Sequence, residues 1–261
     1  MTNALPFFQV DAFAAGPFTG NPAAVMPLQQ WLPDDVMQAI AAENNLSETA
    51  FTVPSEAETH DYDLRWFTPA LEVELCGHAT LAAGHVLLHG KAVRFMTRSG
   101  VLTVTRDEDI LKLDLPAAEL REAAEPELCQ VLGLSPRPVW LASGCNDAAI
   151  IALDSEAEVR AVAPDFKALA AIQRMAIVTA PGDRQDIASR VFVSYGGIDE
   201  DPVTGSAHAA LAPYWADRLG RTHFTALQAS KRGGILECEL NDARVILGGQ
   251  CVTVIEGHFQ I

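Results

Sequence analysis

The sequence predicts an α+β chain of two similar domains, each a curled, barrel-like mixed sheet wrapped around a central helix. Three observations carry this. Short apolar stretches of strand length recur along the chain, separated by turn residues. Behind Cys76-Gly77-His78, an Ala/Leu-rich run reads as a helix that is apolar all round and therefore buried. The same wording then returns half a chain later. Setting Gly77 against Gly205 aligns His78 with Ser206, Ala79 with Ala207 and Ala82 with Ala210, an offset of 128 in 261 residues, as expected of two halves built alike.

Taken in order, Phe7 to Phe13 is a first strand, residues 16–22 form a loop rich in Gly and Pro, and Ala23 to Met26 resumes as a strand. Leu32-Pro33-Asp34-Asp35 opens a helix, because Pro fits a first turn and acids suit its positive end. It should run to about Glu43, with Asn44-Asn45 as the stop. Residues 46–53 and 62–67 are strands, and further strands lie near 92–97, 101–106 and 110–115. Residues 116–127, acidic and Ala-rich, read as the crossing between domains. In the second half, strands are expected at 139–142, 148–153, 175–179 and 188–194, and residues 154–172 are mostly helical around Pro164. Strands near 234–240 and 243–248 follow the repeated motif, and residues 250–261 form a last strand that returns to the first domain. The expected domains are thus 1–116 with 250–261, and 117–249.

The formal charge of −16 argues against nucleic-acid or membrane-surface partners. An anionic substrate therefore needs local attraction, and the free N–H groups of a helix start supply it. Five cysteines at 76, 129, 145, 238 and 251 include no Cys-x-x-Cys pair, which fits a reduced, cytoplasmic protein. The N-terminus has no basic region before a long apolar run, and no stretch reaches the ~18 apolar residues of a membrane span.

Several side chains are candidates for chemistry. Glu48 stands at the entry to an apolar strand, where a carboxylate is not expected as filler. His78 sits at a helix start behind Gly77, which lets the backbone approach a ligand. His78, His85 and His89 share a helical face, but His78 and His85 would be ~10 Å apart along the axis, too far for one ion. No metal is expected. Cys76 at a helix start could be an activated thiol. A two-thiol racemase needs a second cysteine at the twin position, which carries Thr204. Asp199-Glu200-Asp201 precedes the second helix start, where acids cap the helix or one of them pairs with His78 to position a proton. Ser206 lacks the Gly-x-Ser-x-Gly setting of a nucleophile and suits anion binding. No phosphate loop or dinucleotide fingerprint is present, so no cofactor is expected.

Four motifs, Thr19-Gly20-Asn21-Pro22-Ala23-Ala24-Val25, Asn45-Leu46-Ser47-Glu48-Thr49-Ala50-Phe51, Cys76-Gly77-His78-Ala79-Thr80 and Asp199-Glu200-Asp201-Pro202-Val203-Thr204-Gly205-Ser206-Ala207, resemble the phenazine-biosynthesis-like (PhzF) isomerase family across essentially the whole chain. The resemblance implies the diaminopimelate-epimerase-like fold with the active site between the two domains. It makes Glu48 the proton carrier and puts His78, Asp201 and Ser206 in the substrate pocket, with the Gly77 and Gly205 helix starts near a substrate carboxylate and Ser47 and Cys76 beside them. It also implies a homodimer. The expected function is a cofactor-independent isomerase moving a proton between carbons of a small carboxylate-bearing metabolite. The alternatives are a cysteine-dependent racemase or epimerase using Cys76, and a metabolite-binding protein without turnover. Cys76-Gly77-His78-Ala79 and His208 set the chain apart from phenazine-making members, so their substrate is not carried over.

Overall fold

The computed structural model describes residues 4–144 and 147–261. In chain order the first elements are β1 (Ala4–Ala12), β2 (Asn21–Pro27), α1 (Asp34–Asn44), β3 (Glu48–Pro54), β4 (Tyr62–Phe67), β5 (Glu72–Val73), α2 (Gly77–Leu87), β6 (Ala92–Thr97), β7 (Gly100–Asp107) and β8 (Ile110–Pro116). Next come β9 (Glu119–Ala123), α3 (Pro126–Val131), β10 (Val139–Ser143), β11 (Ala148–Ala152), α4 (Glu156–Ala161), α5 (Phe166–Leu169), β12 (Met175–Pro181), β13 (Ile187–Val193) and β14 (Ile198–Asp201). The chain ends with α6 (Gly205–Leu219), β15 (His223–Gln228), β16 (Gly234–Asn241), β17 (Arg244–Gly249) and β18 (Cys251–Gln260). This is an α+β fold with mixed sheet pairing, and the sheet is not closed into a barrel. The chain divides into two compact units, Met1–Asp114 with Gly248–Ile261, and Leu115–Leu247.

In the first unit β1 lies between β18 and β2, all antiparallel. β2 and β3 run parallel, β3 and β4 antiparallel, and β4 carries β5 antiparallel and β6 parallel. The second unit repeats this grammar. β11 and β12 run parallel, β12 and β13 antiparallel, and β13 carries β14 antiparallel and β15 parallel. The special helix falls at the same point of each unit, α2 before β6 and α6 before β15. The repeat read from two short Gly-Ala strings is therefore a repeat of topology.

Helix α2 is buried from Gly77 through Gly84, as its all-round apolar sequence requires, and packs on β1, β2, β3 and β7. Gly84 is small for a reason: a Cβ there would lie 2.6 Å from Val104 Cγ1. Helix α6 keeps Pro213 in its interior. Proline has no N–H for the carbonyl four residues back, and that carbonyl, Ala209 O, instead accepts from Ala118 N at 3.4 Å. Helix α1 closes a separate apolar cluster in which Met37 and Ile40 meet Met26, Phe51 and Phe67. It stops at Asn45, whose φ of 50° ends the helix in the left-handed conformation that Asn tolerates.

Three expectations need correction. Residues 116–127 are not a plain crossing, since β9 pairs with β10 and α3 follows. Strand β15 lies where no strand was expected, because His223-Phe-Thr-Ala-Leu-Gln228 alternates only weakly and puts a polar Gln at a buried position. Helix α2 ends at Leu87, with Leu88 extended, so exposed His89 is off the helix and shares no face with His85.

Candidate active site

The first unit gathers five of the candidate residues. Because β2 and β3 are parallel, their starts lie at the same end of the sheet, with Ala23 opposite Glu48. Asn21 opens β2, Glu48 opens β3, and α2, packed on both strands, opens with Gly77-His78 behind Cys76. Local sequence enforces these starts. Thr19 Oγ1 donates to Gly16 O at 2.7 Å and accepts from Ala15 N at 2.9 Å, shaping the turn before β2. Gly20 follows at φ +75°, a conformation side chains rarely adopt, and a Cβ there would collide with Ala12 O.

The buried imidazole of His78 is the hub. Its Nε2 lies 3.1 Å from Glu48 Oε2. Its Nδ1 lies 3.2 Å from Asn21 Nδ2 and 3.5 Å from Cys76 Sγ. Ser47 Oγ donates to Asn21 Oδ1 at 3.1 Å. The carboxylate and the imidazole are close without being aligned: neither Glu48 Oε2 nor His78 Nε2 makes a hydrogen bond among the described residues. A buried carboxylate oxygen without a donor is costly, so it is poised to take a proton or a substrate donor.

Burial opposes a charge on His78, but the Cys76 sulfur and the Glu48 carboxylate outweigh it, and the imidazole pKa stands well above its ordinary value. Burial and the Glu48 carboxylate push the Cys76 thiol up to about 11, so the helix start does not make it a thiolate at neutral pH. Ligand atoms of Glu48, Cys76 and His78 lie within 4.8 Å of one another, a donor set that a zinc ion accepts. The histidine, however, turns one nitrogen to the sulfur and the other to the carboxylate, so its two nearest donors do not meet at one nitrogen. The grouping suits proton handling better.

The second unit gathers Asp201, Gly205 and Ser206 in the same way. Asp201 is buried at the end of β14, and Thr204 Oγ1 donates to its Oδ2. Of the three acids, Glu200 pairs with Arg190 at 2.7 Å and Asp199 is exposed, and the N-cap residue of α6, Thr204, makes no side-chain cap bond. At both helix starts the N-cap side chain makes no cap hydrogen bond and no acid stands in the first turn, so the positive end of each helix dipole favours an anion at Gly77 and Gly205. Gln228 pins the second start, accepting from Thr204 N at 2.8 Å and donating to Asp201 O at 2.7 Å. His208 is not a proton carrier. It donates from Nδ1 to Thr204 O at 2.8 Å, and burial lowers its pKa to about 4.

Sequence reasoning gave no role to Asn21 or Gln228. Asn21 stood inside a recognised motif, where its neighbours Gly20 and Pro22 explained the turn and hid the side chain. Gln228 had no such signal beyond being a polar residue in a weak strand.

A comparison against protein families matches the phenazine biosynthesis-like protein family over residues 10–257. The chain belongs to the phenazine biosynthesis-like (PhzF) family. It is 50% identical over 264 residues to an uncharacterized isomerase of Pseudomonas aeruginosa, covering 98% of this chain and 99% of that one. A crystal structure of a PhzF-family protein from Enterococcus faecalis superposes with a TM-score of 0.89 at 44% identity, covering 99% of this chain and 100% of that one. The fold extends further, to a probable proline racemase of Agrobacterium radiobacter at a TM-score of 0.69 and 12% identity, covering 98% and 92% of the two chains. Among PhzF-family relatives the name isomerase recurs, and this chain is an isomerase of the family. No helix among the described residues is long and apolar enough to cross a membrane.

Proposed function

We propose that this PhzF-family isomerase moves a proton between carbons of a small carboxylate-bearing metabolite, without a cofactor, with Glu48 as both acid and base. The observation that carries the reading is the buried pair of Glu48 Oε2 and His78 Nε2, 3.1 Å apart with no aligned hydrogen bond. In such a setting a carboxylate that faces the substrate can take a proton from carbon and return it. His78 steadies the carboxylate while it is charged. Gly77 and Gly205, the first residues of uncapped helices, supply N–H groups for a carboxylate and for negative charge developing on the substrate. Asp201 is the second polar group of the reaction, and Ser47, Cys76 and Ser206 complete the contacts. The protein works as a homodimer in the cytoplasm.

A cysteine-dependent racemase is the weaker reading, because the Cys76 thiol is raised to about 11 and the twin position holds Thr204. The test is a screen of carboxylate metabolites in heavy water, followed by loss of carbon-bound proton signals. The wild type exchanges its substrate. Glu48→Gln should lose the exchange by at least about 100-fold, the usual scale of general acid–base catalysis, with unchanged circular dichroism. A variant that still exchanges at the wild-type rate refutes the role of Glu48.

A further inference from the structure

The Thr-Gly-Asn-Pro motif was read above as a turn, yet it delivers one side chain to the hub. Thr19 and Gly20 shape the turn, and Asn21 enters β2 fully buried with its amide nitrogen 3.2 Å from His78 Nδ1. The Ser47 hydroxyl donates to Asn21 Oδ1, which turns the NH₂ group toward the ring. An N–H can donate to Nδ1 only while that nitrogen keeps its lone pair. The ring proton then sits on Nε2, the nitrogen that faces Glu48 Oε2 at 3.1 Å.

We infer that Asn21 is a positioning residue that decides which nitrogen of His78 carries the proton, with Ser47 holding its amide in the required orientation. Three groups face the ring. Glu48 of β3 favours a proton on Nε2, Cys76 at the start of α2 offers its sulfur to Nδ1, and Asn21 of β2 offers its amide N–H to the same Nδ1. Glu48 and Cys76 both draw a second proton onto the ring, and Asn21 opposes it. A neutral imidazole with its proton on Nε2 keeps an N–H on the side of the Glu48 carboxylate, 3.1 Å away, where a small movement on substrate binding can align the two. The inference deepens the proposed function and rests on it only for its catalytic meaning, since the state of the ring can be read without turnover.

The test is nitrogen NMR of protein labelled at histidine, with the His78 signals assigned by their loss in His78→Gln. In the wild type above the His78 midpoint, Nδ1 should report a lone pair and Nε2 a bound proton. Asn21→Asp replaces the donor by an acceptor, so both ring nitrogens should stay protonated to higher pH, with the His78 midpoint up by about one pH unit or more. Asn21→Leu should raise the midpoint by less. If Asn21→Leu does not fold, Ser47→Ala carries the test, because releasing the amide should give a mixture of both ring tautomers. A neutral wild-type ring with its proton on Nδ1, or variants that titrate as the wild type does, would overturn the inference. An active Glu48→Gln protein would sink the catalytic reading and leave this titration result standing, so the two failures are distinguishable.

Discussion

Replacing Gln228 by Met keeps the volume of a fully buried side chain and removes its hydrogen-bonding groups. Two backbone groups then lose a partner, Thr204 N–H at 2.8 Å and Asp201 C=O at 2.7 Å. Leaving a buried backbone group unsatisfied costs about 1–3 kcal/mol. Burying Met in place of Gln returns part of this, since the amide no longer needs to be stripped of water. The net loss should be about 2–4 kcal/mol, with the strain confined to the 201–204 segment that leads into α6. Urea unfolding gives the total, and hydrogen exchange followed by mass spectrometry locates it. The Thr204 amide and the first turn of α6 should exchange faster, while α2 should be unaffected. A loss below ~0.5 kcal/mol with Thr204 still protected would refute the view that Gln228 holds this helix start.

Gly84→Ala puts a methyl group 2.6 Å from Val104 Cγ1, so stability should fall by about 1–3 kcal/mol, and adding Val104→Ala should restore part of it in chemical unfolding. His208 titrates at about 4 when folded against an ordinary 6.5, so its neutral form stabilises the fold above pH 6.5 and that contribution is lost as the pH falls from 6.5 to about 4. The loss should total about 3 kcal/mol. Stability measured against pH in His208→Gln should lack this decline. With its thiol near 11, Cys76 should react slowly with iodoacetamide at pH 7 and faster as the pH rises, and Cys76→Ser should keep most of the isomerase activity. A Cys76 that alkylates rapidly at pH 7, or a dead serine variant, would favour the thiol mechanism instead.

Much of the fold was legible because the signals that carry it are local. Strand β4 was bounded by its own apolar run, and α1 by Pro33 and Asn45. The helix starts at Gly77 and Gly205 were marked by glycine before an Ala-rich run. Other elements depend on contacts that no local pattern encodes. Strand β9, with Glu119 and Arg121-Glu122 exposed, exists through its ladder with β10 rather than through its own propensity. The site followed the same division. Glu48 was conspicuous as a charge at an apolar strand entry, and His78 as a titratable group at a helix start. The amides of Asn21 and Gln228 were silent, since a buried amide is recognised by its partners, and those lie 57 and 24 residues away.

The duplicated topology is not duplicated chemistry. The first residue of β3 is Glu48, and the first residue of β12, at the same place in the second unit, is the buried thioether Met175. A racemase that inverts a carbon needs an acceptor on one side and a donor on the other. Of these two equivalent stations only the one at Glu48 can hold a hydron, so in the proposed reaction hydrogen taken from one face of a substrate would be handed back on that same face, with solvent deuterium entering while the carboxylate carries it.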